Sequence, residues 1–259
     1  MRCLYLRAAN SPSVWVVGGR VGSRSTTNSW CRDRRRKGRW FAVTGYCLAV
    51  VVVREGLLPA GAVDAAAESG GRVLLVGSDV NTAAGNFTTA SDVWCVEVSD
   101  YGPAKVAAGL APIVCAERLL ILPSSPDGRD LAPRIAATLG RSLFTNAVRA
   151  TAQNVVCLRR GDRATERTEL TGPAVITIVP GSLDWPVERA RQRRRRTLEV
   201  AFAEVGDAQV LGIIPPDPAA AVSSEASRTV GDGEGVSRAE GGAKAAKLAH
   251  LTGASVGGH

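Results

Sequence analysis

From Leu48 onward, short apolar runs alternate with segments of helical spacing. Leu48–Val53 is apolar at every position, as expected of a parallel strand covered on both faces. Arg72–Val76, Val93–Val98, Leu119–Leu122, Val155–Leu158 and Ala174–Val179 are the next strand candidates. Ala62–Glu68 and roughly Ala104–Val114 supply helical patterns, with Pro112 obscuring the end of the second. Asn81–Ser91 is a poor helix by propensity, since Asn, Gly and Thr recur through it. Alternating β and α elements predict an α/β fold built on a doubly wound, mostly parallel sheet. The later strands, joined by short polar loops, are candidates for antiparallel pairing.

The stretch Arg118–Arg134 is the most specific in the chain. It reads as a buried strand (Leu119–Leu122), a polar turn, and a helix opening with Gly128-Arg129-Asp130-Leu131-Ala132-Pro133-Arg134. A proline inside a helix loses a hydrogen bond and clashes with the carbonyl four residues back, here that of Arg129. With Asp130 as N-cap, Arg129 lies outside the helix and that conflict disappears. Leu131, Ile135 and Leu139 then share one face, and Gly140 ends the helix. Arg129, Asp130 and Arg134 surround the helix start. Anion or nucleotide binding is one reading of them. Capping with local or intersubunit charge pairing is the favoured one.

After Pro180 the character changes. Arg189–Arg196 contains six arginines in eight residues, with no aromatic interleaving beyond Trp185. A solvated linker is the expectation there, with contact to an acidic partner surface as the intermediate case, rather than nucleic-acid binding. Thr197–Phe202 and Val210–Ile214 could be strands, and Pro215-Pro216-Asp217-Pro218 breaks the chain. Residues 223–259 resemble the opening of a second α/β unit, with a Gly-rich loop, a helix near Ser237–Leu251 and a strand near Ala254–Val256. Those 37 residues are too few to bury a core alone, so the expectation is that the chain stops inside a domain.

Charge changes the picture only at one end. The whole chain carries +8, but residues 1–42 hold ten basic residues against Asp33, a net of +9. The remaining 217 residues are almost neutral, at −1. Residues 1–42 are therefore expected to be a disordered basic tail, or not native protein at all, since the regular pattern begins just after Val43. Arg34–Lys37, Phe41–Val53 and Ala60-Gly61-Ala62 loosely mimic an export signal. Removing Leu48–Val53 would, however, delete the first core strand. No apolar run approaches the ~20 residues that span a bilayer, so membrane insertion is not expected. Six cysteines without CxxC pairing, most of them in apolar runs, suit a reducing cytoplasm better than a disulfide framework.

His250 and His259 are the only histidines, which argues against a His/Cys metal site or a His-based triad in the N-terminal fold. No catalytic or metal-ligating residue is assigned. Gly253-Ala-Ser-Val-Gly257 spells GxSxG, the nucleophile elbow of serine hydrolases. That elbow needs a strand before it, a helix after it, and an acid and a histidine downstream. The order here is reversed, and no Asp or Glu follows. Gly231-Asp-Gly-Glu-Gly235 precedes a helix, where backbone N–H groups could meet a phosphate.

The strand followed by GRDLAPR and an apolar helix resembles the N-terminal domain of electron transfer flavoprotein alpha subunits. The resemblance extends more weakly from about Cys47 to the chain end. Ser124-Ser125-Pro126-Asp127 before the motif looks most like the branch associated with the mycofactocin redox system. The resemblance implies a Rossmann-like, adenine-nucleotide alpha-hydrolase-like domain over residues 43–180, an Arg- and Pro-rich linker over 181–222, and the start of an FAD-binding domain over 223–259. It implies a cytoplasmic electron carrier subunit rather than an enzyme with its own substrate. Its partners would be a beta subunit and dehydrogenase electron donors, with FAD shared between the subunits. In that family the N-terminal domain binds no nucleotide of its own, and most flavin-binding residues lie beyond the point where this sequence stops. Gly233 and Gly235 match the family's Gly-rich loop near the flavin phosphates; Glu234 departs from it, because the family typically offers a basic residue there. Two other readings stand beside this one: a non-redox scaffold unable to hold FAD, and a nucleotide-binding protein of the universal-stress type.

Overall fold

A computed structural model describes residues 16–17, 46–182, 190, 193–202, 205–207, 211, 228–232 and 241–258. Contacts divide the chain into two units, residues 1–208 and 209–259. In the first, the strands are β1 (Val16–Val17), β2 (Cys47–Val53), β3 (Arg72–Gly77), β4 (Asp92–Glu97), β5 (Leu119–Pro123), β6 (Ser142–Ala150), β7 (Asn154–Arg159), β8 (Ala164–Glu169), β9 (Ala174–Ile178), β10 (Arg194–Thr197) and β11 (Glu199–Val200). The helices are α1 (Ala62–Glu68), α2 (Val80–Asn86), α3 (Pro103–Val114) and α4 (Pro126–Leu139).

Nine strands form one sheet in the order β10-β4-β3-β2-β5-β9-β6-β7-β8. Pairing is parallel from β10 through β6, while β6–β7 and β7–β8 are antiparallel. The sheet is therefore doubly wound and mostly parallel, with an antiparallel extension at one end. Its centre is wholly apolar: Leu48–Val53, Val73–Val76 and Leu119–Leu122 are buried. Alternate strand residues face two separate cores. Val51, Leu75 and Ile121 pack with Ala65 and Ala66 of α1 and Val80 and Ala83 of α2. Val50, Leu74 and Leu120 pack with Val106 and Leu110 of α3 and Leu131 and Ile135 of α4. One helix pair covers each face, as right-handed crossovers running both ways from the sheet centre require.

Four details depart from the sequence reading. First, α4 begins at Pro126 and not after Asp130. Ser125 is its N-cap, accepting the Gly128 N–H at 3.2 Å, and Pro126 takes the first helical position, where its missing N–H costs nothing. Pro133 thus lies inside the helix. Gly140, at φ +62°, ends it as expected. Second, α2 forms in the segment of poor propensity. The Glu97 carboxylate accepts the N–H groups of Asp79 (2.7 Å) and Val80 (3.2 Å) at its start. At its end Arg193 donates to the carbonyls of Ala84 and Gly85 (3.4 Å) in the helix and of Phe87 (3.1 Å) just beyond it. Opposite charges at the two ends complement the helix dipole.

Third, β6 and β8 are strands that no apolar run announces. Fourth, within the stretch read as a solvated linker, Arg194–Thr197 is an edge strand parallel to β4, with Arg195 beside Val93 and Arg196 beside Trp94. Beyond it, β11 pairs in parallel with β1, and Asp207 accepts the N–H of Ala104 (2.7 Å) at the start of α3.

The second unit contains β12 (Thr229–Asp232), α5 (Gly241–Thr252) and β13 (Ser255–Gly258), a parallel βαβ arrangement. Gly253, at φ +60°, ends α5, and Ala254 and Ser255 are buried. Arg228 donates to the Thr252 carbonyl at 3.2 Å, closing the helix end against the strand.

Candidate functional site

In a doubly wound sheet, the crevice at the carboxyl ends of the strands where their order reverses is the natural ligand position. Here the reversal lies between β2 and β5: from β2 the chain moves outward to β3, and from β5 the sheet continues to β9 on the other side. Arg54 leaves the end of β2, and Ser124-Ser125 leave the end of β5.

This crevice is closed by the chain's own side chains. Arg54 Nη2 and Nε donate to the two Asp127 carboxylate oxygens at 2.7 and 3.0 Å, a bidentate pair across the switch point. The same guanidinium lies 4.0 Å over the Tyr101 ring. Pairing with Asp127 raises the Arg54 pKa further above its ordinary value. Burial pushes the Tyr101 phenol up, with the negative charge of Asp127 adding to it, so Tyr101 stays a neutral hydroxyl. Among the described residues, the Tyr101 hydroxyl and Ser124 Oγ are buried without a hydrogen-bond partner.

Next to this pair, the Glu97 carboxylate occupies the N–H groups at the start of α2, where a phosphate would otherwise be received. Backbones also approach too closely to leave a gap. A Cβ on Gly77, at φ +142°, would lie 1.9 Å from the Val53 carbonyl oxygen, and one on Gly128 would lie 2.0 Å from that of Pro123. Two carboxylates and tight backbone contacts make this crevice a poor receptor for a nucleotide diphosphate. Of the charges around the helix motif, Arg134 pairs with Asp130 one turn earlier, through its side chain and its carbonyl (2.8 Å). Arg129 is exposed. The structure thus brings Asp130 and Arg134 together without building an anion site from them.

The amino ends of the strands carry a different cluster. Arg72 donates to both Glu117 carboxylate oxygens at 3.0 Å and to the Cys47 carbonyl. The Glu117 side chain is completely buried. Burial, with the Glu117 charge beside it, pushes the Cys47 thiol up to about 12, so it is a neutral packing group and not a nucleophile. Among the described residues, no group of three His, Cys, Asp or Glu side chains is placed to hold a metal ion.

Gly233 and Gly235, the glycines matched to a flavin-phosphate loop, lie outside the described residues, as does the intervening Glu234. His250 is exposed on α5. Ser255 of the GxSxG sequence is 2 % exposed in β13 and donates to the Arg228 carbonyl at 3.3 Å. It is a strand residue behind a helix, the reverse of a nucleophile elbow.

Sequence reasoning did not single out Arg54, Glu97, Tyr101 or Asp127 as a cluster. The usable signal was a charged residue at the carboxyl end of an apolar strand, Arg54 just after β2 and Glu97 as the last residue of β4, where a parallel sheet places its crevice.

Among the described residues, no helix is long and apolar enough to cross a membrane. A family model described as the electron transfer flavoprotein domain matches residues 59–203, more than half of the chain. No curated protein matches it.

Proposed function

The chain belongs to the electron transfer flavoprotein family, and from that premise we propose that it is an alpha subunit, or a portion of one, that works with a beta subunit and shares its FAD. The family's members are electron carriers rather than catalysts. The observation that carries the subunit reading is the self-closed switch-point crevice. An adenine-nucleotide binder of this fold needs that crevice open, whereas an alpha-type N-terminal domain needs only a rigid body to set beside its partner. Arg54–Asp127 and the Glu97 carboxylate leave the first unit in the second condition.

On this reading the flavin is held outside the first unit, by the segment beginning near residue 223 together with the partner subunit. Gly233 and Gly235 are the residues of this chain assigned to its diphosphate. When bound, the isoalloxazine supplies the electron-carrying chemistry. The protein's part is to fix the ring and exclude water. Dehydrogenases are the proposed donors, the cytoplasm the proposed location, and the mycofactocin-associated branch the proposed subgroup.

A second reading is favoured by one specific residue. Glu234 places a carboxylate between the two loop glycines, where it would repel a diphosphate, which fits a non-redox scaffold. The full chain, purified alone and together with a beta subunit, separates the two. Stoichiometric flavin absorbance in the complex supports the electron-transfer reading. A colourless complex that still forms with a beta subunit sinks it and leaves the scaffold. The nucleotide-binding alternative of universal-stress type predicts heat on titration with ATP or AMP, and the filled crevice predicts none.

A further inference from the structure

The outer edge of β10 is an unusual place for charge. Residues 43–259 are almost neutral, yet the residue before this strand and the strand's first three residues are four consecutive arginines, all exposed. They divide by strand alternation. Arg193 is committed to the carbonyls at the end of α2, and Arg195 donates to the Asn81 carbonyl at 3.4 Å on the same side. The hollow of about 190 Å³ beneath them is lined by Ala84, Gly85, Val93 and Arg193–Arg195, and the Arg193 and Arg195 cations are turned towards helix carbonyls. It is a capping arrangement.

Arg194 and Arg196 face the other way, beside Asp92 and Trp94. Arg196 lies 5.9 Å over the Trp94 ring, and neither arginine joins an ion pair among the described residues. The backbone is also half used. In a parallel ladder alternate residues bond to one neighbour. The N–H groups of Arg194 and Leu198 go to Ser91 and Cys95 on the β4 side. Those of Arg195 and Thr197 therefore point outward, where no strand pairs among the described residues. Among the described residues, Val16–Val17 pair with Glu199–Val200, beyond β10.

We propose that the outer edge of β10 is a docking site for an acidic, extended segment of a partner polypeptide, which adds as a further strand and pairs its carboxylates with Arg194 and Arg196. An edge strand with open donors recruits a strand. Cations that join no ion pair among the described residues select its charge and deter a second copy of the same arginine-bearing edge. Nucleic acid fits less well, because Trp94, the only aromatic ring at the site among the described residues, is 7 % exposed and offers no face for a base. This inference does not depend on flavin binding.

The test uses the full chain and a capped synthetic peptide of alternating glutamate and valine, with an alternating lysine–valine peptide and a single-stranded oligonucleotide as comparisons. The acidic peptide should bind with an affinity that falls as salt rises, and should slow amide exchange at Arg195 and Thr197. Arg194→Glu combined with Arg196→Glu should weaken it roughly tenfold, as two exposed attractions become repulsions. Thr197→Pro, which removes an outward N–H and leaves the β4 ladder intact, should weaken it with the charges unchanged. Tighter binding of the oligonucleotide, equal binding of the lysine peptide, or unprotected Arg195 and Thr197 amides would overturn the proposal.

Discussion

The two ends of the central sheet are each closed by one arginine gripping one carboxylate through two hydrogen bonds, but in opposite surroundings. At the amino ends, Arg72 holds Glu117 with the carboxylate side chain fully buried and the arginine 19 % exposed. At the carboxyl ends, Arg54 holds Asp127 with exposures of 51 % and 31 %. The same geometry therefore does different work. A buried carboxylate left without its cation is a desolvated charge, so Arg72–Glu117 locks β2, β3 and the start of β5 into register. An exposed pair adds little to stability and is screened by salt. Arg54–Asp127 is better understood as a cover over the position where this fold usually receives a ligand.

The contrast is broken most directly at its buried end. Glu117→Ala leaves Arg72 half-buried without a counter-charge and should cost about 3–5 kcal/mol in denaturant unfolding, with little dependence on salt. Gly128→Ala tests the other end by packing instead of charge. Its Cβ would sit 2.0 Å from the Pro123 carbonyl oxygen, so either the strand end or α4 must move. A loss of about 1–3 kcal/mol is expected, read as a lower unfolding midpoint at unchanged slope.

The amino-end cluster also has a pH signature. The Cys47 thiol is held up at about 12, largely by burial, while in the unfolded chain it titrates near its ordinary value of about 8.5. Between these values the folded state binds the proton and the unfolded state does not, so stability falls as pH rises through that window. Cys47→Ala should flatten the alkaline slope of unfolding free energy against pH relative to the parent. A parallel slope in both proteins would mean that the thiol is not desolvated as the structure has it.

The sequence revealed the layered centre better than its edges, for a physical reason. β2, β3, β4, β5 and β9 are buried on both faces, so each is an apolar run that can be found without knowing its neighbours. β6, β8 and β10 carry their meaning in pairing. Arg194–Thr197 has no apolar residue at all, and only the ladder to β4 makes it a strand. α2 was obscured for the same reason, since its stabilising charges come from Glu97 and Arg193, both later in the sequence and the second over 100 residues away. The start of α4 is local, yet two local signals conflict there: Ser125-Pro126 is a strong opening, while Pro133 favours a later start that would keep it out of the helix interior. The charged residues at the strand ends point to the crevice, but its closure is not legible in the sequence, because Arg54, Tyr101 and Asp127 meet only after β2, β4 and β5 have assembled.

The smallest expected effect is the one that decides between cover and clamp. Arg54→Met keeps an aliphatic stem against Tyr101 while removing the charge. It should cost less than about 1 kcal/mol at low salt and almost nothing at high salt, because both partners are already half in water. Its visible consequence should lie elsewhere. With the guanidinium gone, the Tyr101 ring loses its cationic lid at 4.0 Å, so its fluorescence should become more accessible to a soluble quencher while the unfolding midpoint barely moves. A destabilisation as large and as salt-independent as that of Glu117→Ala would show that the carboxyl-end pair is also structural, and the two ends of the sheet would then be the same device used twice.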